Sequence, residues 1–193
     1  MPVRILILLF AALLLGGCQP APKFNATELI GIEWGKDFAL TDHTGKPRRL
    51  ADFKGKAVVM FFGYTQCPDV CPTNMSTMRE VMATLGPQAE RVQMLFVTID
   101  PQRDTRALLA EYVPTFHPSF LGLYGDDAAT TAIAKEFKIY YQKQPGSTPS
   151  TYTVDHSAGS YVFDPQGRLR LYVKHGETPA RIAQDLSRLL GEQ

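Results

Sequence analysis

Cysteine is scarce in this chain, and an excess of charge of either sign is missing. Among 193 residues there are 3 Cys, and 20 Lys plus Arg stand against 19 Asp plus Glu. Without a basic surface the chain lacks the usual means of binding phosphate backbones, so nucleic acid is not an expected partner. No block of like charges marks a solvated tail, and no internal repeat is visible. Nor is there an apolar run of the ~20 residues that a spanning helix needs; the longest, Ile5 to Leu15, stops at eleven. What remains is an ordinary composition, 45% hydrophobic, which suits one packed domain with short extras.

The apolar run belongs to targeting. Arg4 supplies a short positive stretch before it, and Leu15-Gly16-Gly17-Cys18 follows it. This sequence resembles the lipobox of bacterial lipoproteins. The resemblance implies a signal peptide over 1–17 that is removed, and a lipid anchor of several chains on Cys18, which holds more firmly than one chain would. A plain secretory signal or a short uncleaved anchor is the alternative. Lipidation implies a place in the bacterial cell envelope, with the domain facing the periplasm or the outer side of the cytoplasmic membrane. Residues 18–32 read as the lipidated Cys and a tether kept extended by Pro20 and Pro22, and 33–193 as the folded domain. Only Cys67 and Cys71 then remain as thiols, in an oxidising compartment.

Along the domain, apolar periodicity alternates between strand and helix. Asp37–Thr41 and Arg48–Asp52 flank the turn Asp42-His43-Thr44-Gly45 as an N-terminal hairpin. Ala57–Phe62 is a continuous apolar run, the mark of a central strand buried on both faces. Met75, Met78, Met82 and Leu85 recur at helical spacing behind Pro72, and a second buried strand spans Met94–Ile99. A helix after Asp104-Thr105, a short strand Phe120–Leu123 and a helix Asp126–Phe137 follow. Residues 141–153 are polar and rich in turn formers, an insertion loop or exposed hairpin. A hairpin of Ser160–Phe163 and Leu169–Val173 and a helix Pro179–Leu190 close the chain. This order predicts an α/β, thioredoxin-like fold, a central mixed sheet flanked by helices, with an N-terminal hairpin and an insertion before the last β-hairpin.

Two thiols sit where the first central strand hands over to its helix, in Gly63-Tyr64-Thr65-Gln66-Cys67-Pro68-Asp69-Val70-Cys71-Pro72. Open α/β sheets place ligands at such handovers, and a helix N-terminus favours thiolate over thiol. A disulfide between residues four apart closes a very small loop and contributes little to stability. Structural zinc normally takes four protein ligands, and no third free Cys exists. The three-residue spacing is one longer than in general thiol oxidoreductases, which lets two sulfurs stand apart around one soft ion. Two thiolates suit Cu(I), and one imidazole added to them can also hold Cu(II). The imidazole must come from His43, His117, His156 or His175, and His156 lies in the approach to the strand Ser160–Phe163. The residues alone leave redox pair and metal clamp both open.

Three motifs in order, Gly63-Tyr64-Thr65-x-Cys67-Pro68-Asp69-x-Cys71-Pro72, Ile99-Asp100-Pro101-x-Arg103-Asp104-Thr105 and Asp155-His156-Ser157, strongly resemble the Sco/SenC family. These are membrane-anchored, thioredoxin-like copper proteins that serve assembly of the copper A centre of cytochrome c oxidase. The resemblance spans roughly Glu33 to the C-terminus. It implies Cys67, Cys71 and His156 as ligands of one copper per chain, Cu(I) or Cu(II), with Cys67 and Cys71 also able to form a reversible disulfide. It further implies the apo copper A subunit of cytochrome c oxidase as partner, and an upstream copper donor or thiol reductant. The family is commonly held by an N-terminal membrane helix, which a lipobox replaces here. The expected function is therefore copper delivery rather than enzymatic turnover.

The main rival is a thiol–disulfide oxidoreductase that reduces the Cys pair of a copper-receiving protein. Thioredoxin-like enzymes carry a Pro before the strand facing the thiols, and His156-Ser157-Ala158-Gly159-Ser160 has none. A thiol peroxidase is suggested by the fold and Thr65, but the spacing to Cys67 does not match the peroxiredoxin pattern. Asp69 is read as tuning the site or as plain loop surface. Asp100 and Arg103 are expected to order the sheet edge by an ion pair, with Asp104 capping a helix. The helical Met residues are expected in the core. Tyr140 and Tyr141 read either as a docking surface or as aromatics packed beneath the loop.

Overall fold

The computed structural model describes residues 23–148 and 151–191. The signal peptide, Cys18 and its neighbours lie outside the described residues. Among those described, no helix is long and apolar enough to cross a membrane.

Among the described residues, ten strands and four α-helices follow one another. They are β1 Thr27–Glu28, β2 Ala39–Asp42, β3 Pro47–Arg49, β4 Ala57–Gly63, α1 Val70–Leu85, β5 Val92–Thr98, α2 Arg106–Tyr112, β6 Leu121–Tyr124, α3 Asp127–Glu136, β7 Tyr141–Gln144, β8 Thr153–His156, β9 Ser160–Phe163, β10 Leu169–Val173 and α4 Pro179–Gly191. Eight strands form one sheet in the order β1-β10-β9-β4-β5-β6-β2-β3, while β7 and β8 pair only with each other. In the centre β4, β5 and β6 are parallel; β9 runs antiparallel to β4, and β2 antiparallel to β6. This is the mixed, helix-flanked sheet expected from the sequence.

Every residue of β4 and β5 is buried, as the apolar run of β4 requires when both faces are covered, with Gln93 and Thr98 the polar residues of β5. Alternation sends Val59, Phe61 and Gly63 to one face and Met60 and Phe62 to the other. On the first face Phe61 packs against Phe96, whose ring lies 5.7 Å from Tyr112 at the end of α2. Helices α1 and α4 cover the same face and pack together. On the second face Phe62 meets Phe137, just past α3, at 5.5 Å, and Tyr161 packs with both. Met75, Met78 and Met82 are all buried within the core.

Boundaries moved for local reasons. Helix α1 begins at Val70 rather than Pro72, so Cys71 lies inside its first turn; Pro72 still sits where its missing N–H has no intrahelical partner. Helix α2 is capped by Thr105, whose Oγ1 accepts from the Leu108 N–H, and not by Asp104, which points inward. The span read as a tether includes β1, which pairs with β10, and a buried Phe24. There the N–H groups of Asn25 and Ala26 donate to the buried Asp185 carboxylate of α4, at 2.9 and 2.8 Å to the nearest oxygens.

The turn of the N-terminal hairpin is organised by Asp42. Its fully buried carboxylate accepts from the Thr44 N–H and hydroxyl and the Lys46 N–H, and pairs with Arg48 Nε at 2.7 Å. Burial opposes its ionisation, but the bonds from Thr44, Arg48 and Lys46 prevail and hold the pKa at about 2. A pKa below the unfolded value contributes stability that is present above the ordinary carboxylate range and is lost as pH falls toward 2, about 2 kcal/mol in all. Asp42→Ala is expected to cost about 2–3 kcal/mol at neutral pH, less than the ~3–5 of a fully buried pair because Arg48 is partly exposed. Urea unfolding at pH 7 and near pH 3 should show the gap between variant and wild type narrowing in acid.

Candidate metal centre

The thiols are placed by the handover from β4 to α1. The Cys67 N–H donates to the Tyr64 carbonyl at 3.2 Å, closing the turn after the strand. Residue Asp69 precedes the helix, yet its side chain caps no helical N–H, and the Cys71 N–H donates instead to Cys67 Sγ at 3.4 Å. Cys67 is half-buried and Cys71 fully buried. A Cβ at Gly63 would fall 2.9 Å from Cys71 Sγ and 2.8 Å from the Phe61 ring, so the strand must end on glycine for the buried sulfur to fit.

His156 closes the site from the other side. It ends β8, and its ring stands edge-on to Phe61 and Tyr64, with centroids 6.0 Å away in each case. Nδ1 lies 2.9 Å from the Ser157 carbonyl, which can only accept, so Nδ1 carries a proton and Nε2 is turned toward the thiols. Nε2 is 3.5 Å from Cys71 Sγ. The ligand atoms of Cys67, Cys71 and His156 all lie within 4.8 Å of one another. Holding a metal-facing imidazole through a bond at its other nitrogen is the usual way a protein fixes tautomer and orientation.

The two sulfurs differ electrostatically. Cys67 is held far below the ordinary thiol range, to about 3, chiefly by a hydrogen bond from Cys71, against the effect of burial and with help from His156 and the N–H groups of Asp69 and Cys71. Cys71 is pushed up, first because it donates to Cys67 and second because it is buried. The metal-free reduced site therefore holds one thiolate, on the accessible sulfur, and one proton on the buried sulfur. Binding a soft cation displaces that proton. The site opens into a cleft of about 470 Å³ between the Cys loop and β8, lined by Tyr64, Cys67, Asp69, Val154 and His156 among others. A groove of about 450 Å³ beside Leu29–Lys36 and Gly167–Arg170 offers no thiol or imidazole.

The remaining histidines are elsewhere. His43 Nδ1 accepts from the Gly122 N–H, His117 bonds Ser119, and His175 Nδ1 meets Asn74 Oδ1. Among the described residues Cys67, Cys71 and His156 form the one cluster of metal-ligating type. Asp69 is exposed and bonded to Thr73, and Tyr140 is 58% exposed. Asp100 and Arg103 do form an ion pair, at 2.5 Å.

Sequence reasoning missed several supporting contacts. Asp104 is buried and accepts from the Thr65 N–H, the Thr65 hydroxyl and the Thr98 hydroxyl, tying the Cys loop to the end of β5. Tyr64 accepts the Val154 N–H with its hydroxyl, and Tyr152 donates its hydroxyl to Asp100 Oδ1. An aromatic near the end of a run of turn formers was the one signal for Tyr152.

A thioredoxin-like domain with two thiols and an imidazole gathered at the strand-to-helix handover defines a soft-metal or redox protein. The SCO1/SenC family model matches residues 28–191, and the chain belongs to that family. It is 38% identical over 154 residues to the mitochondrial SCO2 homolog of Mus musculus, covering 79% of this chain and 60% of that one. Across the first curated relatives the chain spans 58–60% of their length. Among solved structures, Bradyrhizobium japonicum ScoI with copper bound is similar at 38% identity and a TM-score of 0.75, over 81% of this chain and 99% of that one. Apo Sco1 of Thermus thermophilus is 40% identical with a TM-score of 0.77, over 89% and 99%.

Proposed function

We propose that this chain is a metallochaperone that carries one copper on Cys67, Cys71 and His156 and passes it to the copper A subunit of cytochrome c oxidase, acting from a membrane to which lipid on Cys18 holds it. The observation that carries this reading is the convergence of two sulfurs and one imidazole nitrogen within 4.8 Å beside an open cleft. Two thiolates and an imidazole accept both Cu(I) and Cu(II). Three protein ligands leave room for an incoming sulfur or nitrogen of a partner, so the ion can move by stepwise ligand exchange. Cys67, at the cleft, is the ligand such a partner reaches first. Similarity to copper-bound ScoI supports copper as the cargo.

The test is an anaerobic copper titration of the reduced full chain in detergent, with Cys67→Ser and His156→Ala beside it. Wild type is expected to bind one copper, with a sulfur-to-copper charge-transfer band for Cu(II) that shifts in His156→Ala. Loss of a direct ligand in Cys67→Ser should weaken binding beyond the ~10- to 100-fold typical of outer partners. Should copper merely oxidise the pair to a disulfide, the cargo reading fails.

A further inference from the structure

His156 does not ride on the main sheet. It ends a two-stranded hairpin, β7–β8, that pairs with no other strand among the described residues. A lone hairpin is marginal in water, so side chains must hold this one in place. Arg103, after β5, is where those side chains meet. Its guanidinium lies 3.5 Å from the centre of the Tyr152 ring and 5.6 Å from that of Tyr64. Nη1 donates to the Tyr152 carbonyl at 2.7 Å and to Gln66 Oε1 at 3.2 Å, while Nε pairs with Asp100. The Tyr152 hydroxyl returns to the same Asp100 at 2.7 Å. One planar group thus touches the Cys loop through Gln66, the end of the central sheet through Asp100, and the start of β8 through Tyr152.

We propose that Arg103 is a positioning residue that sets the distance between His156 and the two thiols by fastening the β7–β8 hairpin to the Cys loop. This rests on the metal reading above. Arginine suits the task because its rigid fork and flat face serve several partners at once, whereas lysine offers a point charge on a flexible stem. The fastening works with the Tyr64 hydroxyl, which takes the Val154 N–H two residues before His156. Lys143, bonded to Gln102 and 3.8 Å from Asp100, steadies the opposite strand of the hairpin.

Two variants of the full chain test this: Arg103→Lys, which keeps the charge beside Asp100, and Asp100→Asn with Arg103→Met, which leaves no buried charge unpaired. In the metal-free protein, amide exchange over Thr153–His156 should quicken in both while β4 and β5 keep wild-type protection. In the Cu(II) form, the nitrogen coupling from His156 in the electron paramagnetic spectrum should vanish or weaken. Copper should remain on the thiolates about 10- to 100-fold more weakly, the usual effect of losing an outer partner of a metal ligand. Full restoration by lysine, or unchanged amide protection and nitrogen coupling in both variants, overturns the proposal; so does faster exchange spread evenly through the sheet. A wild-type chain that binds no copper defeats the metal reading, and amide exchange then decides the fastening by itself.

Discussion

Alkylation of the reduced, metal-free protein by iodoacetamide will modify Cys67 and spare Cys71, at a rate nearly constant from about pH 5 to pH 8. An ordinary thiol reacts about tenfold faster for each unit of pH below its pKa of ~8.5, because only the thiolate attacks. Cys67 is already thiolate throughout that range, held there by Cys71, His156 and two backbone N–H groups. Its absolute rate at neutral pH is not the signature. A thiolate of low pKa is less nucleophilic, with a Brønsted slope of ~0.4–0.5, so over about five units the gain in thiolate is offset by a loss of two orders of magnitude or more. The flat profile is what distinguishes it. Cys71 is fully buried and must wait for local opening, and an opening of about 3 kcal/mol already gives selectivity above about a hundredfold. Mass spectrometry of peptides across the pH series would decide; a Cys67 rate climbing with pH like a free thiol, or equal labelling of the two, would sink the assignment.

That asymmetry bears on how the proposed cargo would move. A site with one ready thiolate at its mouth and one protonated sulfur behind it captures a soft ion at Cys67 first. The second bond then requires Cys71 to give up its proton, while His156 Nε2, 3.5 Å away, stays in place as the proposed third ligand. On the proposed reading, release to a partner would reverse the order. The same geometry explains why glycine ends β4, since any side chain there would displace the rear sulfur.

The fold was readable wherever burial imposes a pattern. Ala57–Phe62 is an uninterrupted apolar run and Met94–Ile99 is broken only by Thr98, because both faces of β4 and β5 are covered, and the last hairpin shows in its Asp164–Gly167 turn. Strand β1 was hidden because its two residues are exposed and it is held by backbone pairing and by Asp185, neither of which marks the sequence. Asp104 was misjudged for a related reason. An Asp before a helix looks like a cap, and only the bonds from Thr65 and Thr98 show that this one turns inward. The thiols were evident from spacing; His156 was brought to them by a hairpin whose attachment depends on Arg103, Tyr152 and Tyr64, contacts that span the chain and leave no periodic trace.

Asp104→Ala should then do more damage than a lost helix cap, which costs ~1 kcal/mol. Removing the carboxylate strips acceptors from the Thr65 N–H, the Thr65 hydroxyl and the buried Thr98 hydroxyl, each worth about 1–3 kcal/mol when left unmet, and water can reach only the Thr65 end. A loss of about 3–5 kcal/mol in urea unfolding is expected. Burial raises the pKa of Asp104 despite the bonds from Thr65 and Thr98, so the folded state holds this proton more tightly than the unfolded chain does. Its titration therefore favours the fold below the unfolded value near 3.8, and that contribution is lost as pH rises through the folded one. Loosening Thr65 also loosens the turn that ends at Cys67, so the alanine variant should expose Cys71 to iodoacetamide while the core stays folded. If the variant loses less than about 1 kcal/mol and Cys71 stays protected, the Cys loop is held by its own turn and helix, and Asp104 is only a neighbour.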